Sequence, residues 1–256
     1  MSTLTGKVAL VTGGSRGIGR GISERLARDG ALVAVHYGTN AAAAQETVAS
    51  ITAAGGSAFA VGAQLGIRDD VKTLFAGLDH ELTARQGSTA LDIVINNAGI
   101  SLQAGLAETT ADIYDEQLAI NARAPLFITQ AAVERMGDGG RIVTISSGVT
   151  RQAWPTLLAY AMSKAAVETM TRTLAKELAP RGITVNVVAA GLVDTDMNAG
   201  WLRTGDAAAR EQAASVSAFN RIGEPADVAD VVAFVASHDA RWVTGQVLDA
   251  TGGSVL

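Results

Sequence analysis

The chain alternates seven short, continuous apolar runs with longer stretches of helical period, and few folds accommodate that alternation. The runs lie at 8–11, 32–35, 58–61, 91–95, 141–145, 183–188 and 246–248. The helical stretches lie at 18–28, 41–54, 70–85, 111–136, 157–179 and 226–237. An apolar block without in/out alternation suits a strand buried on both faces, as in a parallel sheet between two helix layers. Repeated β and α units of this size predict right-handed crossovers and an α/β fold. The form expected is a single Rossmann-type, doubly wound parallel sheet of about seven strands with helices on both faces. No linker, repeat or low-complexity tract divides the 256 residues, so one domain, 1–256, is expected.

Composition closes off other classes. The chain has no Cys, which removes disulfide scaffolds, thiolate chemistry and Cys-ligated zinc. Its 48% hydrophobic content and net charge of −5 argue against disorder, and the absence of a basic block argues against a nucleic-acid partner. His36, His80 and His238 stand apart without ligand-spaced neighbours, so no metal is expected. The opening residues lack the charged-then-apolar order of a secretion signal, and no apolar run approaches the ~20 residues of a membrane span. A cytoplasmic location with no membrane partner is therefore expected.

The first run leads straight into Gly13-Gly14-Ser15-Arg16-Gly17-Ile18-Gly19 and then a helix. Glycines at a strand-to-helix junction allow a tight turn and let backbone N–H groups approach a pyrophosphate. The bland alternative is a glycine-rich turn with no ligand. The same letters fit the Gly-x-Ser-x-Gly elbow of serine hydrolases, but an elbow on the first strand is out of place, and the single late histidine is His238. NAD-binding folds place an acid near the end of the second strand; here that segment reads Val35-His36-Tyr37-Gly38-Thr39-Asn40. Arg16 can instead pair with a 2′-phosphate, which predicts NADP(H). Thr39 and Asn40 can add hydrogen bonds, or cap the following helix.

Tyr160 and Lys164 stand four apart on a helical stretch and so share a face. A neighbouring ammonium favours the phenolate, which makes the pair a proton donor and acceptor for carbonyl/alcohol interconversion. The fifth strand ends in Ser146-Ser147, where a hydroxyl can polarise a carbonyl; periodicity does not choose between them.

Taken in order, the motifs resemble the short-chain dehydrogenase/reductase family along nearly the whole chain. They are Thr12-Gly13-x3-Gly17-x-Gly19, Asn96-Asn97-Ala98-Gly99, Asn121, Ser147 and Tyr160-x3-Lys164. Arg221-x-Gly223-x-Pro225-x-Asp227-Val228-Ala229 and Thr244-Gly245-Gln246 follow. The family's serine precedes its tyrosine by thirteen residues, which selects Ser147. The resemblance implies hydride transfer between a nicotinamide and a substrate carbon, with Tyr160 as acid/base. Lys164 would lower the tyrosine pKa and hold the nicotinamide ribose, Ser147 would steady the substrate oxygen, and Asn121 would anchor a water continuing a proton relay. Cofactor contacts are expected from Gly13, Ser15, Arg16, Gly17, Ile18 and Gly19, and from His36, Tyr37, Thr39 and Asn40. Gln64 and Leu65, then Asn97, Ala98 and Gly99, and finally Gly191, Val193 and Thr195 complete the set, with Tyr160 and Lys164.

Pro125 lies four after Asn121 in a helical stretch and has no N–H for the Asn121 carbonyl, which predicts a kink and a carbonyl free for the relay water; a packing role alone is the alternative. Two departures from the family stand out: Ala190-Gly191 replaces Pro-Gly, and Gln64 replaces an Asp facing the adenine. Segment 195–219 should be the substrate loop or lid, with Met197, Trp201 and Leu202 as apolar wall and a lid helix over 206–217. Asp196, Asp206 and Glu211 make that lid acidic, and Trp154 is a further wall candidate or a packing residue. A general ketone/alcohol oxidoreductase is the preferred function. The alternative is a 3-oxoacyl-[acyl-carrier-protein] reductase docking its carrier through Arg141 and Arg181, against which Asp138 counts. A cofactor-binding regulator without turnover would be expected to lack the Tyr or the Lys, and both are present. Relatives imply a homotetramer pairing the stretches 111–136 and 157–179 and the C-terminal strand.

Overall fold

The computed structural model of the chain describes residues 4–203, 205, 207–254 and 256, with all their side chains except that of Trp201. Seven parallel strands form one sheet: β1 (Val8–Val11), β2 (Leu32–Tyr37), β3 (Ser57–Gly62), β4 (Ile93–Asn96), β5 (Arg141–Ser147), β6 (Thr184–Ala190) and β7 (Val247–Ala250). Their order across the sheet is β3-β2-β1-β4-β5-β6-β7. Between them run α1 (Gly17–Arg28), α2 (Ala41–Ala53), α3 (Asp70–Gln86), α4 (Ala111–Leu118), α5 (Ala124–Val133) and α6 (Leu158–Leu178). Two short helices, α7 (Ala199–Leu202) and α8 (Ala207–Ser215), precede α9 (Pro225–Ala236).

Both faces of the sheet are covered, which is why its strands read as unbroken apolar runs. Along β1, Ala9 and Val11 join a core beneath α1 and α9 with Ile22, Leu26, Val228 and Val232. Val8 and Leu10 point the other way, into a core with Leu74, Leu78 and Ile128 of α3 and α5. Each large side chain removed from water in these layers contributes about 1.5–3 kcal/mol. The strand order reverses direction between β1 and β4, so a crevice opens at the carboxyl ends of these strands.

The stretch 111–136 is not one helix. Between α4 and α5 the backbone makes a π turn, Ala119–Arg123, in which the Ala124 N–H bonds the Ala119 carbonyl. Pro125 sits at the start of α5 with no N–H to offer Asn121, and one extra residue in the turn accommodates it. The expected irregularity is present, as a π turn.

Candidate active site

The glycine segment crosses from β1 to α1 at the crevice. Gly13 takes φ +61°, a left-handed conformation that favours glycine, and a Cβ on Gly19 would lie 2.1 Å from the Gly13 carbonyl oxygen. The turn is held by side chains of its surroundings. Asn97 Nδ2 donates to the carbonyls of Thr12 (2.9 Å) and Gly13 (3.1 Å). Thr12 Oγ1 accepts from the Asn97 and Ala98 N–H groups at 2.9 and 3.0 Å. The N-terminus of α1 has no side-chain cap and no acid in its first turn. α2 and α4 are capped by Asn40 and Thr110, and α9 carries a reciprocal cap between Glu224 and Asp227, whereas α6, like α1, has neither a side-chain cap nor a first-turn acid. Uncapped N–H groups at a helix start suit a phosphate. Arg16, two-thirds exposed, flanks them.

Around this turn the expected contacts separate into those that reach the crevice and those used elsewhere. Thr39, Asn40 and Gln64 are exposed, and Asn40 Oδ1 caps α2 through the Ala43 N–H (3.0 Å). Tyr37 is half-buried, with its ring against Gly62. Ser15 and Leu65 are buried, Ile18 is half-buried and packs on the core, and the Ser15 carbonyl accepts from Thr47 Oγ1 at 3.0 Å. His36 requires a correction. Its imidazole is 2% exposed, with Nδ1 accepting the Gly13 N–H at 3.0 Å and Nε2 at 2.8 Å from the Ala63 carbonyl. Both ring nitrogens are occupied by the protein, so the ring is not a cofactor contact. Gly191 packs on Thr251, Val193 bridges to Gly223, and Thr195 lies buried beside Gly17.

Ser147, Tyr160 and Lys164 meet at the carboxyl end of β5. The Ser147 hydroxyl hydrogen-bonds Tyr160. Ser146 points elsewhere and donates to Glu168 Oε1 at 2.7 Å, so the structure makes the choice between the two serines that periodicity could not. Lys164 is 5% exposed; its Nζ donates to the Ile145 carbonyl at 2.9 Å and lies 5.6 Å from the Tyr160 ring centre. Gly99 packs against Asn121 and Lys164. Burial pushes the Tyr160 phenol up to about 12, against the opposing pull of the Ser147 hydrogen bond. Tyr160 as a whole is half-buried. Burial likewise pushes Lys164 down to about 8. Burial acts on both groups toward their neutral forms, raising the phenol and lowering the ammonium.

Asn121 is buried and its side chain is fully engaged. Oδ1 accepts the Ile100 N–H (2.9 Å), and Nδ2 donates to the Ile100 carbonyl (2.9 Å) and to Ser163 Oγ (3.0 Å). One turn earlier, Gln117 Oε1 accepts the Leu102 N–H at 3.0 Å. Two amide side chains of this helix thus pin the loop after β4 that walls the crevice. Sequence reasoning passed over Gln117 and the Thr12 staple. Thr12 sits beside the glycines and was readable as such, whereas Gln117 has no sequence signal.

In the substrate segment, the structure places α8 at Ala207–Ser215 where a lid helix was expected over 206–217. Asp206, like the Trp201 side chain, lies outside the described residues. Met197 and Trp154 are exposed enough to wall a pocket, whereas Leu202 is buried. Of the acids expected there, Asp196 is paired, 3.3 Å from Arg203 and 3.9 Å from Arg16; Asp194, just before the segment, lies 3.1 Å from Arg203 and 3.3 Å from Arg210. Arg141 and Arg181 lie at the opposite end of the sheet from the crevice. Arg141 donates to the carbonyls of Ser237, Gly139 and Gly140, and Arg181 to those of Val133 and Met136.

Comparison with known proteins gives consistent matches. A family described as enoyl-(acyl carrier protein) reductase matches residues 13–254. An uncharacterized oxidoreductase of Methylorubrum extorquens is 43% identical over 99% of both chains. A hydroxynaphthalene reductase of Aspergillus fumigatus is 41% identical over 95% of this chain and 90% of its own. Among solved structures, the promiscuous reductase LugOII, which catalyses keto-reduction at C1 in lugdunomycin biosynthesis, superposes with a TM-score of 0.95 at 53% identity. That match covers 99% of both chains. The angucycline C-6 ketoreductase LanV with bound NADP superposes at 0.94, with 49% identity over 99% of this chain and 97% of its own.

Proposed function

The chain belongs to the short-chain dehydrogenase/reductase family, and from that premise we propose that it is an NADP(H)-dependent reductase of ketones. The observation that carries the reading is the convergence of Ser147, Tyr160 and Lys164 beside an uncapped helix N-terminus. LanV has been crystallised with NADP and rabelomycin, and the hydroxynaphthalene reductases are named for a fused aromatic substrate. A flat polycyclic aromatic ketone is therefore the substrate class proposed here, with Trp154 and Met197 as apolar walls under a lid spanning 195–219.

NADP(H), when bound, supplies the two electrons as a hydride at the carbonyl carbon. The α1 N-terminus and glycine loop hold its pyrophosphate, and Arg16 holds the 2′-phosphate by a charge-assisted hydrogen bond. Ser147 Oγ steadies the carbonyl oxygen while Tyr160 Oη gives it a proton. A phenol that burial raises above its ordinary value carries a proton to donate at neutral pH. Lys164 and the main-chain carbonyl of Asn121 hold a water that returns a proton to Tyr160. The Asn121 side chain is committed to Ile100 and Ser163, and Pro125 does not compete for the carbonyl.

Against a carrier-bound β-ketoacyl substrate weighs the place of the arginines expected to dock the carrier, at the end of the sheet opposite the crevice. We also propose a homotetramer, supported by exposed Leu126 and Phe127 on α5 and Phe234 and Trp242 near the C-terminal strand.

The test is NADPH oxidation against a panel of polycyclic aromatic, simple aliphatic and carrier-bound ketones. NADPH is expected to be preferred to NADH, and an aromatic ketone to be the best substrate. Tyr160→Phe should lower kcat by about a thousandfold with little change in NADPH affinity. A Tyr160→Phe enzyme with wild-type kcat would refute the mechanism.

A further inference from the structure

His36 is the one buried imidazole in the crevice floor, and its two bonds tie together three separately folded segments. It lies on β2, paired in register with Val61 of β3, and its ring reaches back to the glycine loop. Nδ1 accepts the Gly13 N–H at 3.0 Å; Nε2 is 2.8 Å from the Ala63 carbonyl, just beyond β3. The main chain adds a third tie, the Gly14 N–H to the His36 carbonyl at 2.9 Å. The first two amides of the loop are therefore turned toward residue 36, away from any phosphate. The Gly13 carbonyl, on the other side of the same peptide chain, is taken by Asn97.

These partners leave one protonation state. A carbonyl only accepts, so Nε2 must carry the hydrogen it shares with Ala63, and Nδ1 must be the bare acceptor for Gly13. We propose that His36, as the neutral Nε2–H tautomer, is a positioning residue for the dinucleotide site. It sets the orientation of the Gly13 peptide, hence the shape in which the loop presents its remaining amides and the α1 N-terminus. The inference rests on the cofactor reading above. It assigns His36 no contact with the cofactor and no part in the proton relay.

The argument predicts which replacement is tolerated. Asn carries an acceptor oxygen at the same number of bonds from the backbone as Nδ1, so His36→Asn can keep the Gly13 bond while losing the Ala63 bond. His36→Leu fills similar space but leaves the Gly13 N–H unpartnered. Two readouts are needed. In the cofactor-free protein, hydrogen exchange over residues 13–19 should quicken in His36→Leu and stay close to wild type in His36→Asn. In calorimetric titration, the NADPH Kd should rise about tenfold for His36→Leu and by less than about threefold for His36→Asn. The kcat at saturating NADPH should remain within about twofold of wild type for both, which a general loss of folding would not give.

The proposal is overturned if His36→Leu matches wild type in exchange and affinity, or if His36→Asn is as impaired as His36→Leu. Should wild type itself fail to bind NADPH, the cofactor reading falls, while the exchange comparison still decides the role of His36. A measurement on unaltered protein stands beside the variants. Nitrogen NMR of the cofactor-free chain is expected to show the His36 proton on Nε2, and a proton on Nδ1 would sink the assignment.

Discussion

Lys164 keeps an ammonium where water barely reaches, and that has a consequence for stability as well as for chemistry. Burial moves it from the ordinary lysine value of 10.5 to about 8. The unfolded chain therefore holds this proton between about pH 8 and 10.5 while the folded chain has released it, so stability rises with pH across that window. The full effect is about 3 kcal/mol. Tyr160, raised by burial, works in the opposite sense only above about pH 10, where an unfolded tyrosine ionises. From pH 8 to 10 the urea midpoint of the wild type is expected to rise relative to that of Lys164→Met, which lacks the buried charge. Parallel curves for the two proteins would show that Lys164 is better solvated than its position implies.

At the scale of elements, the π turn Ala119–Arg123 is where local sequence and function coincide. It delivers Asn121 onto Ile100 while Gln117, on the preceding turn, holds Leu102. In an unbroken α-helix the carbonyl of residue 121 would bond the N–H of residue 125, which proline lacks. Pro125→Ala restores that N–H. The turn is then expected to tighten toward α-helix, with a thermal midpoint equal to or above wild type, an unchanged NADPH Kd and a kcat lower by about tenfold. An unchanged kcat would reduce Pro125 to a packing residue. The long stretch reads as a single helix because its apolar period is unbroken, and a proline alone announces a break without saying of which kind. By contrast the seven strands were legible to within two residues, most plainly the central ones such as β1 and β4, whose burial along their whole length leaves an apolar block; β3 and β7 at the sheet edges are only partly buried.

At the scale of the molecule, the sheet sorts its charges between two ends. The carboxyl ends of β1, β4, β5 and β6 carry the glycine loop, Asn97, Ser147 and the segment leading to Thr195, while Arg141 and Arg181 stitch loops at the other end. In sequence those arginines looked like a docking pair near the site. Parallel strands explain the error: Arg141 begins the strand that Ser147 ends, so six residues separate opposite edges of the sheet. The apolar residues left outside, Trp242 at 96% exposure foremost, belong to faces that a proposed homotetramer would cover. Sedimentation is expected to give about four times the 26.1-kDa chain mass, and a monomer at micromolar concentration would end that proposal.

The sequence by itself determined the fold class, the strand and helix succession, the glycine turn and the candidate trio Ser147, Tyr160 and Lys164. Each of these is written in local period, in backbone freedom or in a spacing that a helix turns into a shared face. Only the tertiary structure decided what each polar group is free to do. It withdrew His36 from the cofactor by filling both its nitrogens, and it committed the Asn121 side chain to Ile100 and Ser163. It neutralised Asp196 with arginines and turned Ser146 away from Ser147. The physical reason is that a hydrogen-bonding group's availability depends on partners brought from distant segments, whose approach no local pattern encodes.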